Sequence, residues 1–169
     1  MDERTLRARL TSWENLGPLR TLEERRDEME RGARASGPSA APLLAGLLSA
    51  LEREESRLLD PMLDFLDAYV ALFPEVLAAA LLAELGPSGP PALIEVLGST
   101  RFTGAVAVLR ERVNLDAADA DVLVAVACAL GEIGGADAID MLRELQRRPA
   151  LPERARREVE IALEQGISP

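Results

Sequence analysis

"ALGEIGGADAIDMLREL", residues 129–145, is the stretch that decides the fold. An Ala-rich apolar run stops at Gly134-Gly135, and a second apolar run at helical spacing begins at Ala138. Paired glycines supply backbone conformations that L-residues avoid, so they end the first helix sharply. The stretch therefore reads as two short helices with a tight joint, the second folded back antiparallel on the first.

The joint recurs. Residues 92–111, "ALIEVLGSTRFTGAVAVLRE", align with 125–144, "AVACALGEIGGADAIDMLRE", at an ungapped offset of 33. Leu97-Gly98 falls on Leu130-Gly131, and Arg110-Glu111 on Arg143-Glu144. One further step puts Leu130 on Leu163. The columns Leu93/Val126/Val159, Val96/Ala129/Ala162 and Leu97/Leu130/Leu163 are apolar in all three registers. Their spacing, i, i+3, i+4, is one stripe of an α-helix. A unit this short cannot bury such a stripe alone, so neighbouring units stack. A second trace sets "GPSAAPLLAGLLS" (37–49) against "GPSGPPALIEVLG" (86–98) at an offset of 49.

Residues 121–145, "DVLVAVACALGEIGGADAIDMLREL", resemble a HEAT repeat, of the short bacterial type found in the HEAT-like repeats of phycobilin lyases. The resemblance is good over 89–165 and vague before that. It implies an all-α fold, an α-solenoid of stacked antiparallel helix pairs spanning residues 19–169, with 1–18 as an N-terminal helix or arm. Many members carry an Arg soon after the Asp that opens the first helix. Here Val122-Leu123-Val124 follow Asp121, and that contact is missing.

Elsewhere the pattern predicts about ten helices and no strand. Leu6, Leu10 and Trp13 share a face of a helix over 2–13, and a Gly17-Pro18 linker follows. Thr21 and Glu24 form a capping box for a mostly charged helix with only Leu22, Met29 and Ala33 inward. Pro42 opens the next helix. Asp60-Pro61 reads as N-cap and first residue of a helix over 61–72, and Pro74 starts another. Helices at 89–98, 103–113, 120–133, 137–147 and 153–165 complete the series.

A chain of 169 residues, 48% apolar, suits one domain with a sizeable core. The formal charge is −10; histidine and lysine are absent, and all 19 cations are arginines. That removes imidazole proton transfer, His-ligated metal and lysine Schiff bases. The acidic surface argues against nucleic acid. Cys128 is the only cysteine, so no internal disulfide forms, which fits a reducing compartment. The start, "MDERTLRARLTSWEN", lacks the apolar core of a signal peptide, and no run is long enough to span a bilayer. The expectation is a cytoplasmic protein without membrane contact.

Three features are candidates for function. Asp116, Asp119 and Asp121 could be read as a calcium loop, but the alternation is wrong and the glycine is missing, so they read as helix-capping acids. Cys128 lacks a histidine to activate it and reads as a packed thiol. Residues 58–100 carry six acids and no cation, and Asp60, Asp64 and Asp67 fall on one side of one helix. They form either a patch for a basic partner or a solvated face. The HEAT-like resemblance adds a third set: second helices line the concave surface in such solenoids, which points to Arg110, Glu111, Asp140, Arg143, Glu144 and Arg147 as groove-lining. Pairing of Arg with Glu between neighbouring repeats is the plain alternative.

The leading expectation is a non-enzymatic scaffold or adaptor, without cofactor, binding a protein or peptide through its groove or acidic patch. The alternatives are an enzyme or enzyme subunit on a HEAT-like frame, bilin-lyase-like by resemblance, and a homo-oligomeric structural protein. For the last, Val159, Ile161, Ala162 and Leu163 spread over more than one face of the final helix and could leave apolar surface open to another copy.

Overall fold

The computed structural model describes residues 2–16, 21–87 and 89–166. Among these the protein is all-α, with ten α-helices and no strand. They are α1 (Glu3–Leu16), α2 (Leu22–Ser36), α3 (Ala41–Arg53), α4 (Leu59–Val70), α5 (Pro74–Glu84), α6 (Pro91–Ser99), α7 (Ala105–Arg112), α8 (Ala120–Ile133), α9 (Gly135–Gln146) and α10 (Glu153–Gly166). The expected boundary at 18/19 and the side chain of Leu22 lie outside the described residues.

Local chemistry explains most of the ends. Thr21 accepts from the Glu24 amide and the Glu24 carboxylate accepts from the Thr21 amide, so the capping box forms. Asp119 caps α8 by accepting from the Val122 amide at 2.9 Å. Gly134 and Gly135 adopt φ of +66° and +84°, which turns the chain from α8 into α9 with Gly134 alone between them. At α4 the expectation is corrected. The helix starts at Leu59 with Leu58 at the cap position, so Asp60 lies within the first turn and caps nothing. First-turn amides have no intrahelical partner, so a proline there costs no hydrogen bond.

Helices two apart in the chain lie side by side: α2 on α4, α3 on α5, α6 on α8 and α8 on α10. Each such pair that can be ordered runs in one sense. Arg25, Gly32 and Gly37 of the α2 segment meet Asp64, Phe65 and Tyr69 of α4 in that order. Asp121 and Gly131 of α8 meet Arg154 and Ala162 of α10. The closest approaches repeat with the sequence period. A Cβ built on Gly98 would stand 2.6 Å from the Ala129 Cα, and one on Gly131 would stand 3.0 Å from the Ala162 Cβ. The three apolar columns read from the sequence are buried, Leu93, Leu97, Val126, Leu130 and Val159 completely.

The N-terminal half is pinned by aromatics. Leu6, Leu10 and Trp13 bury the inner face of α1, and Trp13 stacks on Phe65 with centroids 5.3 Å apart. Phe65 leads on to Tyr69 and Phe73, and the Tyr69 hydroxyl donates to the Gly37 carbonyl at 2.8 Å. At the other end α10 buries Val159, Ala162 and Leu163, leaving Ile161 exposed. Among the described residues no helix is long and apolar enough to cross a membrane.

Candidate functional site

The clearest concavity is a cleft of about 730 Å³ between α2 and α4. Both walls are helical stripes. On α4, Asp64, Asp67 and Ala68 recur at i, i+3 and i+4, with Leu72 in the turn just past its end; on α2, Arg25, Arg26 and Met29 face them. Met29 is 4% exposed and, with Ala68 and Leu72, forms an apolar floor. The Arg25 guanidinium donates to Asp64 at 2.6 Å across the walls. Asp67 stands open to solvent with no cation on it among the described residues. Its surroundings are nonetheless dense enough that partial burial, and then the neighbouring Asp64 charge, hold its carboxyl above the usual range.

This geometry divides the three acids read from the sequence. Asp64 and Asp67 share the cleft, whereas Asp60 is exposed and outside its lining. Asp64 is neutralised by an arginine 39 residues away, so of the two carboxylates in the cleft that α4 supplies, Asp67 is the one without a cation. Arg26 and the floor residue Met29 complete the site. Met29 had a signal, as one of the few apolar positions on α2; Arg26 had none, being one of many arginines in a charged helix.

The charges on α7 and α9 largely satisfy one another. Arg110 pairs with Glu144 across the two helices at 3.4 Å, and Arg143 pairs with Asp140 on the same helix at 3.4 Å. Glu111 and Arg147 are exposed, Glu111 at the edge of a polar groove of about 410 Å³ with Arg110, Arg112 and Arg148. Arg112 donates to the Leu82 carbonyl at 2.9 Å and Arg148 pairs with Asp116.

The three aspartates before α8 face different partners: Asp116 meets Arg148, Asp119 caps α8, and Asp121 meets Arg154 at 2.6 Å. Among the described residues no group of three or more His, Cys, Asp or Glu is placed to hold a metal ion.

Cys128 is half-buried, and burial followed by the charges of Glu158, Glu95 and Glu132 pushes its thiol up to about 11. A thiol so placed stays protonated at neutral pH and is a poor nucleophile. The same acids form a band across the first helices. Glu95 is held above its usual range by partial burial and by Glu52 and Glu132. Glu52 is also raised by burial, although its carboxylate accepts from the Ala92 amide at 2.9 Å. The band's partial sequence signal is the column Glu95/Cys128/Ile161.

In comparison with known proteins, the chain matches no family model, no curated protein and no solved structure.

Proposed function

We propose that the protein is a non-enzymatic interaction module, a short HEAT-like solenoid that holds a basic, partly apolar segment of a partner protein in the cleft between α2 and α4. The solenoid reading draws support from the Gly98–Ala129 and Gly131–Ala162 approaches, which repeat one contact at the sequence period of 33. The binding reading is carried by one observation, the unmatched carboxylate of Asp67 beside an apolar floor. An apolar cleft with a few placed polar groups is the ordinary form of a recognition site, and an unmatched carboxylate favours a cation in it. The α7/α9 surface is the weaker site, because Arg110, Glu144, Asp140 and Arg143 already have counter-charges.

Fluorescence anisotropy tests the reading with labelled amphipathic helical peptides of about 20 residues, lysine-flanked or glutamate-flanked over the same leucine stripe. The lysine peptide should bind more tightly. Asp67→Asn should weaken it about tenfold, about 1.4 kcal/mol, while Asp60→Asn should leave it within about twofold. Equal binding of both peptides, or indifference to Asp67→Asn, ends the reading.

A further inference from the structure

The cleft between α2 and α4 holds two unmatched charges of opposite sign, and the second one constrains what fills it. Five charged residues line it: Arg25, Arg26 and Glu30 on α2, Asp64 and Asp67 on α4. Arg25 is engaged by Asp64, and Glu30 by Arg34 at 2.5 Å. Arg26 and Asp67 remain without a counter-charge among the described residues. They stand on opposite walls of a cleft that Met29, Ala68 and Leu72 also line.

Two helices running in one sense, lined by apolar residues and carrying one unmatched charge on each wall, match the way a third helix packs. Such a helix lays its apolar stripe in the seam and carries charges on the positions either side of that stripe. A helix basic on both flanks would set a cation against Arg26. One acidic on both flanks would set a carboxylate against Asp67. Like charges so juxtaposed weaken binding and reject the wrong partner.

Resting on the reading that this cleft docks a partner segment, we infer that the segment is an amphipathic helix with sided charge, its basic flank on Asp67 and its acidic flank on Arg26. Turning a helix end for end in a groove exchanges its flanks, so the two residues also fix the direction in which the partner lies.

The test uses the full chain and three labelled peptides of about 20 residues with one leucine stripe and flanks of Lys/Glu, Lys/Lys or Glu/Glu, read by fluorescence anisotropy. Circular dichroism confirms that each variant folds. In the unmodified protein the Lys/Glu peptide should bind about tenfold more tightly than Lys/Lys, with Glu/Glu weakest. Arg26→Glu should reverse the first two, making Lys/Lys the tightest. If Arg26→Glu leaves the order unchanged while Asp67→Asn still weakens the lysine-bearing peptides, the two-sided inference falls and the basic-segment reading stands. If Asp67→Asn changes nothing, both fall. Displacement of the Lys/Glu peptide by millimolar free leucine would make the occupant a small zwitterion and overturn the helix.

Discussion

A Cβ added at Gly98 would stand 2.6 Å from the Cα of Ala129, a backbone atom that cannot swing aside. In an ordinary helix interior, Gly→Ala gains about 1 kcal/mol in propensity. Here the added methyl must push α6 off α8, and overpacking of that kind costs about 1–3 kcal/mol. Gly98→Ala is therefore expected to destabilise the protein, lowering the melting temperature by several degrees at about 2–4 °C per kcal/mol. At Gly131 the nearest atom is the Ala162 Cβ at 3.0 Å, so a smaller adjustment suffices and the propensity gain offsets more of it. Gly131→Ala should be near neutral, and urea titration of the two variants checks the difference. The repeat of Leu97-Gly98 at Leu130-Gly131 is plain in the sequence. That each glycine opposes the alanine of the following register is not, because one strip of sequence does not say which faces meet. Cys128 supplies a second residue-scale expectation: with its thiol pushed up to about 11, it should react with iodoacetamide at neutral pH far more slowly in the folded protein than in urea.

For whole elements, some helices begin or end on signals carried by neighbouring residues, and these are what a sequence displays: Thr21 with Glu24, Asp119 before α8, Gly134-Gly135 after it. Helix α6 differs. Its cap position is Pro90 and its first residue Pro91, neither offering a side-chain acceptor. The acceptor comes from α3, where Glu52 takes the Ala92 amide from 40 residues away. Glu52→Ala should remove this cap at about 1–2 kcal/mol, a loss visible in thermal unfolding, whereas Glu52→Gln keeps an acceptor oxygen and should retain part of the stability. The neutralisation of Asp64 by Arg25 was hidden for the same reason. Within the cation-free stretch 58–100, Asp64 looks unpaired only while α2 is not beside α4. Asp60-Pro61 misleads differently: its cap-like pattern is real, but the helix begins earlier, at Leu59.

At the scale of the whole molecule, an acidic protein that partly desolvates three of its carboxylates should respond to pH in a definite sense. Glu52 and Glu95 share the acid band while Asp67 sits in the cleft, and partial burial is the first cause of the upward shift of each. A carboxyl raised in the folded state binds protons there more readily than in the unfolded chain. Its contribution to stability is therefore fully present below the unfolded value, about 4, and is lost as pH rises through the higher folded value. Repulsion within a chain of net charge −10 acts in the same direction. Asp2, whose carboxyl is lowered by the Thr5 amide, acts in the opposite direction but lies fully exposed at the end of the chain. The melting temperature should accordingly fall as pH rises from about 4 through the raised folded values. The double variant Asp67→Asn, Glu95→Gln removes two of the three shifted groups and should flatten that slope at constant ionic strength. A melting temperature that did not change with pH over the same range would mean that these carboxylates are as well solvated in the folded chain as in the unfolded one. The acid band across the first helices would then be an open surface rather than a partly buried one.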